Sequence, residues 1–428
     1  MTTLPADAPW LNRPALAVLV GALGAGQARY VGGAVRDTLL GIAVKDVDIA
    51  TPLEPQEVMR RLKAHAIQVI PTGIDHGTVT AIIEGGPVEI TTLRHDVSTD
   101  GRRATVAFAQ DWQDDAARRD FTINALYADP ASLEVFDYFG GLDDIAARRV
   151  RFIGDARQRI REDHLRILRY FRFQARFGSQ PADLESENAC AELAATLKGL
   201  SRERVGMEMI NLLGLPDPAP TVARMAELGV LAEVLPEADV AALSALVAEE
   251  ERQDVEADAL RRLAALIPAD VQLAESVASR FRLSGAQKKR LALAAGRILP
   301  GTGRGTSEAG GGAQAGSPAP ESSRDSDGAP PPASLVPLPQ GGGMARALAY
   351  RIGRPAALDR LLLTGESVAP LKDWEIPTFP IKGGDVVARG VTVGPEVSRI
   401  LKSLEDRWIS DGFPGFGRTS ELLEEILR

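Results

Sequence analysis

The sequence predicts an α+β protein, with an N-terminal head built on a small mixed sheet and helices from there to the end of the chain. Three observations predict this. Short apolar, strand-like runs interleave with helical pieces over residues 28 to about 150. From about residue 155 apolar positions recur at three- and four-residue steps, and no strand alternation appears. A stretch dense in Gly, Pro, Ser and Ala, residues 300–343, interrupts the helical pattern.

The elements follow in order. Strand-like runs lie around Tyr30–Val31, Val47–Ala50, Val79–Ile83 and Val88–Leu93. Between them, Glu54–Ala66 reads as a helix: Pro55 suits a first turn, and Val58, Met59 and Leu62 recur at helical spacing. Residues 160–177 read as one amphipathic helix on Leu165, Leu168, Phe171 and Ala175. Further helices are expected at 221–235, 239–252, 257–267, 270–281 and 285–298, and near 394–410. Residues 300–343 hold too little apolar surface to offset the entropy of ordering, so they read as a linker. Structure resumes at Met344.

Composition bounds the function. With 428 residues the chain is expected to form two to four compact units. Its net charge of −9 means that any nucleic-acid contact must come from a local basic patch. The single cysteine, Cys190, excludes a disulfide framework and a cysteine-based zinc site, and fits a reducing cytoplasm. No apolar run reaches the roughly 18 residues that cross a membrane, and the start MTTLPADAPW lacks the pattern of a secretory signal. The expectation is therefore a cytoplasmic protein, with no membrane association and no inferred protein partner.

The sharpest local feature is RYVGGAVRDTLLGIAVKDVDIAT, residues 29–51. Gly32 and Gly33 lack a Cβ and so let the backbone approach a bulky anion. Arg36 follows at an expected helix start, where exposed amides and a guanidinium would bind a triphosphate. Then come Asp46 and Asp48. Side chains alternate along a strand, so these two carboxylates share one side while Val47 and Ile49 turn into the core. Adjacent carboxylates repel each other, and a divalent cation relieves this. Magnesium suits, because it takes oxygen ligands and leaves room for phosphate and water. This is the layout for metal-assisted phosphoryl or nucleotidyl transfer. An isolated D-x-D is usually a solvated turn; joined to G-G-x-V-R-D at this distance it points to a site. Neither a G-x-G-x-x-G in the right context nor a P-loop G-K-[ST] is present, so dehydrogenase and P-loop hydrolase chemistry fit poorly.

Residues 31–48 resemble the head of the nucleotidyltransferase superfamily. In particular they are similar to class II tRNA nucleotidyltransferases, the CCA-adding enzymes, and to bacterial poly(A) polymerases. RRDFTINAL at 118–126, EVFDYFGGLDD at 134–144 and EDHLRILRYFRF at 162–173 extend the resemblance in the family's order. It is strong over residues 28 to about 180 and weak from there to FPIKGGDVVARGVTVGPEVSRIL at 379–401.

The resemblance implies a catalytic head at 1–150, a helical neck with a base-reading helix at 151–215, a helical body at 216–299, the linker at 300–343, and an RNA-binding tail at 344–428. It implies that Asp46 and Asp48 hold magnesium, and that Gly33, Arg36 and Arg119 contact the incoming nucleotide. Asp163 and Arg166 match the pair that reads the base edge, with Arg169 and Arg172 as further nucleotide contacts. The activity implied is CCA addition to the 3′ end of tRNA from CTP and ATP. The alternative is a poly(A) polymerase or an A-adding enzyme of the same family.

The chemistry of the residues supports base reading. At three apart, Asp163 and Arg166 are neighbours on a helix. A carboxylate accepts from an exocyclic amine, and a guanidinium donates to a ring nitrogen or carbonyl. Cytosine and adenine offer an amine beside an acceptor, whereas uracil and guanine reverse that order. Each three-residue step drifts by about 60°, so from Asp163 to Arg172 the stripe turns by roughly 180°. The four residues therefore cannot face one small ligand equally, and Arg172 stands furthest round.

Glu89, in VEITTLR, is the candidate third acidic ligand. Residues 94–120 form an uninterrupted loop segment; the resemblance ties such a full loop to complete CCA addition rather than CC addition. His95-Asp96 could suggest a metal phosphohydrolase, but no histidine follows His164 to complete such a site, so His95 reads as a loop residue. Residues 148–176 carry ten arginines against three acids, Asp155, Glu162 and Asp163, which suits a triphosphate and an RNA end. Later basic spots, Lys288-Lys289-Arg290 and Arg351–Arg354, are candidate backbone contacts or solvated helix faces.

Overall fold

The computed structural model describes residues 2–99, 104–109, 111–296 and 342–428. Nearly all of the expected linker, 300–343, therefore lies outside the described residues, as do 100–103 of the loop segment. Two compact units form. One comprises Met1–Val247, Ala257–Leu266 and Val277–Leu283; the other comprises Ala248–Glu256, Ile267–Ser276 and Ser284–Arg428.

The first unit opens with α1 (Pro14–Leu23), β1 (Arg29–Val31), α2 (Gly33–Leu39), β2 (Val47–Thr51), α3 (Pro55–Ala64), β3 (Gln68–Gly73), β4 (Thr78–Ile83) and β5 (Gly86–Thr92). Then follow β6 (Arg94–Thr99), β7 (Ala104–Phe108), α4 (Trp112–Ala117), β8 (Leu126–Ala128), β9 (Val135–Asp137) and α5 (Gly141–Ala146). Seven strands make one mixed sheet in the order β3-β4-β5-β2-β1-β8-β9. The β2–β5 pair is parallel and the others are antiparallel. β6 and β7 form a separate hairpin within the segment read from sequence as loop.

Alternation sorts the sheet into two faces. Tyr30, Val47, Ile49, Val79, Ala81, Val88, Ile90, Leu126 and Ala128 pack in one core with Leu16, Leu19 and Leu23 of α1, Val35 of α2 and Leu62 of α3. Val31, Ala50 and Tyr127 belong to a second core, with Leu93, Ala109, Ala116 and Ile153. The first core thus covers one face of the sheet, and the second packs on the other, which also bears the cross-strand row described below.

Helices follow, as expected: α6 (Ala156–Glu162), α7 (Arg166–Phe177), α8 (Leu184–Leu193), α9 (Arg202–Leu213), α10 (Ala219–Glu227), α11 (Val230–Val234), α12 (Val240–Arg252), α13 (Ala259–Leu266), α14 (Val271–Arg280) and α15 (Gly285–Ala295). The helix expected at 221–235 is two helices, because Gly229 takes a left-handed conformation (φ +73°) that an α-helix does not accept. The second unit carries α16 (Gly342–Ile352), α17 (Arg354–Leu363), α18 (Gly383–Val387), α19 (Pro395–Ser410) and α20 (Phe416–Leu427). One of its cores gathers Ile381, Val386, Ile400, Leu404, Leu422 and Leu423. In another, Trp408 is buried against Tyr350, Phe379 and Phe413. No described helix is long and apolar enough to cross a membrane.

One sequence expectation fails in a way that matters. Residues 160–177 do not form one helix: α6 ends at Glu162, and Asp163 is extended (φ −151°, ψ 104°). Asp163 Oδ1 accepts the Leu165 amide at 3.1 Å, and its carbonyl accepts the Arg166 amide at 3.0 Å. A short carboxylate side chain that bonds the backbone just ahead offers an alternative to continuing the helix, and here that alternative wins. Asp163 and Arg166 are therefore turn and helix-start residues rather than neighbours on one helix face.

Candidate active site

One row of side chains crosses all seven strands: Phe136, Tyr127, Val31, Asp48, Glu89, Thr80 and Ile70 are successive register partners. Asp48 sits at its centre, half-buried. Asp46 is exposed just before β2, while Val47 and Ile49 are buried on the opposite face, as alternation requires. Burial pushes the Asp48 carboxyl up to about 6; the charges of Glu89 and Asp46 add to this, and Arg119 opposes it. Among the described residues, no hydrogen bond or ion pair engages Asp46, Asp48 or Glu89. Unneutralised carboxylates at this spacing fit a divalent cation. Glu89 does not join the pair in a three-ligand cluster: among the described residues no three of His, Cys, Asp and Glu gather as a metal cage. A site of two carboxylates would complete its shell with phosphate oxygens and water.

The positive charge is arranged differently. Arg119 is half-buried; its Nη2 lies 3.1 Å from Asp115 and its Nε 3.1 Å from the Tyr127 hydroxyl. A Cβ on Gly32 would sit 3.4 Å from Arg119 Nη1 and 3.7 Å from the Asn124 carbonyl. Those are ordinary contact distances; it is the φ of +68° at Gly32 that favours glycine there. Gly33, the first residue of α2, has more room, with Arg36 Nη2 3.7 Å from its hypothetical Cβ.

Arg36 does not offer its guanidinium at an exposed helix start. It is buried, donating to Asp37 at 2.7 Å and to Asn124 Oδ1, and its guanidinium lies 4.1 Å from the Phe177 ring centre. Burial lowers its pKa, against the opposing pull of Asp37. The cause is the neighbouring sequence: α2 is buried along Ala34–Asp37, so Arg36 has to find its partners indoors.

The segment 118–126 ties this frame together. Asp120 accepts from Asn124 Nδ2 at 2.9 Å and from Arg169 at 2.5 and 2.9 Å. Arg172 pairs with Glu208 at 2.6 Å, and Arg169 reaches the same acid at 3.7 Å. Arg166 pairs with Glu162 at 2.7 Å and donates to the Arg118 carbonyl at 3.1 Å. Asp163 pairs with Arg204 at 2.6 Å. Through residues 118 and 119 the base-reading candidates are thus joined to the row that carries Asp48. His164 lies beside this turn with its Nδ1 buried and without a hydrogen bond among the described residues.

Sequence reading missed Asp115, Tyr127, Asn124, Arg204 and Glu208. Only the last two carry a local signal, as charged residues at the start and middle of an amphipathic helix. The others became visible once the sheet register and the turn at 122–124 were known.

The family description "Poly A polymerase head domain" matches residues 28–151, and "Probable RNA and SrmB- binding site of polymerase A" matches residues 183–241. The Homo sapiens protein named CCA tRNA nucleotidyltransferase 1, mitochondrial, is 47% identical over 188 residues, which is 43% of either chain; this chain thus spans less than half the length of that relative. The Danio rerio protein of the same name is 35% identical over 393 residues, covering 89% of this chain and 83% of its own. Among solved structures, the Bacillus stearothermophilus CCA-adding enzyme in complex with CTP superposes with a TM-score of 0.65 at 25% identity, over 96% of both chains. With a relative of 35% identity along nearly its whole length, the chain belongs to the class II CCA-adding enzyme and poly(A) polymerase family.

Proposed function

We propose that the protein adds CCA to the 3′ end of tRNA from CTP and ATP without a nucleic-acid template. In the reaction the RNA 3′-hydroxyl attacks the nucleotide α-phosphate and pyrophosphate leaves. The carrying observation is Asp48 in the centre of the sheet row, unpaired among the described residues, with Asp46 just before it, Arg119 beside it and Arg166 bonded to the Arg118 carbonyl. The CTP-bound bacterial relative of the same fold supports the choice of nucleotide. A Thermotoga maritima CCA-adding enzyme complexed with tRNA shares the fold at 20% identity.

Asp46 and Asp48 would hold magnesium, which when bound supplies positive charge for the attacking hydroxyl and the leaving pyrophosphate. Gly32 and Gly33 leave the backbone open to the phosphates, and Arg119 presents its guanidinium over them. Asp163 and Arg166 read the amine-and-acceptor edge shared by cytosine and adenine, giving up Arg204 and Glu162 as they do so. Arg169 and Arg172 border the same pocket, and their bonds to Asp120 and Glu208 keep it in shape. Arg36, boxed in by Asp37, Asn124 and Phe177, acts by holding α2 to the segment 118–126 rather than by touching the nucleotide.

In this reading residues 1–150 are the catalytic head, 151–215 the neck, 216–299 the body and 344–428 an RNA-binding tail. The described helix α16 already begins at Gly342. A cytoplasmic location rests on the lone cysteine, which suits a mitochondrial matrix equally, and the Homo sapiens relative is named mitochondrial.

The test is incorporation on tRNA lacking CCA with each nucleotide alone and with CTP and ATP together. The proposal expects two cytidines from CTP alone and one adenosine only after them. Extension of any RNA by ATP alone would favour the poly(A) alternative.

A further inference from the structure

The contacts of Arg119 lead to a residue with no assigned part in the reaction. Asp115 lies in α4 with its side chain only 1% exposed, yet it is fully engaged. One carboxylate oxygen accepts the Tyr127 hydroxyl at 2.6 Å and Arg119 Nη2 at 3.1 Å. The other accepts Arg118 at 2.7–2.8 Å. Tyr127 in turn accepts Arg119 Nε at 3.1 Å. The roles are fixed by chemistry: a carboxylate only accepts and a guanidinium only donates, so the phenol must donate to Asp115 and accept from Arg119. The three groups close a ring, which fixes the guanidinium plane where a single ion pair would leave it free to turn.

The ring is placed with respect to the site. Tyr127 stands in the same cross-strand row as Asp48, separated from it by Val31. Arg119 reaches over Gly32 and acts on the Asp48 carboxyl. Burying a carboxylate this deeply is costly unless its partners repay it. Burial alone would raise the Asp115 pKa, but Arg119, Arg118 and Tyr127 together pull it down to about 2. An apolar residue would fill the space beside Ala116 at less cost if packing were the only need.

We infer that Asp115 is a positioning residue for nucleotide transfer: with Tyr127 it sets the Arg119 guanidinium over Gly32 and beside Asp48, where the triphosphate enters. This rests on the reading above that Arg119 meets the triphosphate.

The test is steady-state kinetics of the full chain on tRNA lacking CCA, with CTP and ATP varied, for Asp115→Asn, Tyr127→Phe, Arg119→Ala and the double variants with Arg119→Ala. A misplaced catalytic group commonly costs up to about 100-fold. Asp115→Asn is expected to lower kcat/KM for CTP and ATP alike by about tenfold to a hundredfold. The KM for tRNA and the preference for C and A over U and G stay unchanged. Tyr127→Phe gives a smaller loss in the same direction. In the Arg119→Ala background neither substitution costs anything further, because the group they position is gone. Losses that multiply in full onto that of Arg119→Ala, or that appear as a raised tRNA KM or uridine incorporation, overturn the proposal. Arg119→Ala with unchanged kinetics instead removes the reading of Arg119, and the proposal with it; that outcome is read from the single variant alone. If Asp115→Asn does not fold, the cycle of Tyr127→Phe with Arg119→Ala decides.

Discussion

The acids on the sheet and the arginines of the neck present opposite electrostatic states. Asp48 and Glu89 lie side by side on the sheet and Asp46 just before it, with no ion pair among the described residues, and burial together with the neighbouring acids pushes Asp48 up to about 6. Of the ten arginines in residues 148–176, eight pair with an acid: Arg149 and Arg151 with Asp144, Arg157 with Glu185, Arg159 and Arg166 with Glu162, Arg169 with Asp120, Arg172 with Glu208 and Arg176 with Asp37. In the proposed function these acids would take a cation. Those eight arginines are already satisfied, so a nucleotide must compete for them. Charge counted along a segment therefore overstates the positive charge open to a ligand, whereas charge left unpaired on a strand marks where a ligand ion fits.

The strongest test of this contrast removes an unpaired acid. Asp48→Ala should leave the fold intact, since among the described residues no hydrogen bond or ion pair to the carboxylate would be orphaned. Transfer to tRNA should fall on the order of a thousandfold, the scale of several kcal/mol of lost charge stabilisation. Incorporation measured at saturating magnesium checks it. A variant that retained a tenth of the activity would show that the row is not the metal site.

The converse test removes a paired arginine. Arg36→Met takes one partner from a buried pair whose side chains are 8% and 11% exposed, leaving Asp37, among the described residues, with Arg176 at 3.6 Å. The expected cost is about 3 kcal/mol of stability. Urea unfolding of the variant measures it. A loss below about 0.5 kcal/mol, the scale of an ordinary surface change, would mean that Arg36 is not a structural cation.

The unequal legibility of the two regions has the same origin. The expected place of Asp48 could be read from sequence because its information is local: an apolar–polar alternation of period two turns it away from Val47 and Ile49, and the observed register sets it between Val31 and Glu89, with Asp46 exposed just before the strand. The arginine network could be read only in part, because although Asp144 and Glu162 lie close in sequence to the arginines they pair with, other acids come from distant segments. Asp120 lies 49 residues from Arg169, and Glu208 lies 36 from Arg172. The seven-stranded sheet was only half visible. β8 and β9 are three-residue strands, too short to show a period. The helix break at Asp163 was hidden by a helical repeat that continues on both sides of it.

A third prediction uses pH. Asp115 has a folded pKa pulled from the ordinary 3.8 to about 2, so its ionised form is favoured by folding. That contribution is present in full above pH 4 and is lost as the pH falls through 2. It amounts to about 2 kcal/mol. Asp115→Asn should therefore be less stable than the natural protein at neutral pH, with the gap narrowing between pH 4 and pH 2. Urea unfolding of both proteins across that range measures the gap. A gap of constant size would assign the loss to packing or hydrogen bonding rather than to charge.

The smallest effect concerns the residue that belongs to both regions. Asp163 is an acid of the proposed site, yet it is paired, at 2.6 Å with Arg204, and both side chains are only part-buried at 29% and 39% exposure. An exposed pair is worth little and is readily exchanged for another partner. A cytosine or adenine amine can thus displace Arg204 at small cost, which buried pairs such as Arg36–Asp37 do not permit. Asp163→Ala should lower the preference for C and A over U and G by about tenfold, the scale of one hydrogen bond to a charged group, with stability nearly unchanged. Asp163→Asn, which keeps one acceptor, should fall between. Misincorporation assays with each nucleotide decide. Unchanged selection with lowered stability would place Asp163 with the structural pairs, and base reading would then have to rest on Arg166 alone.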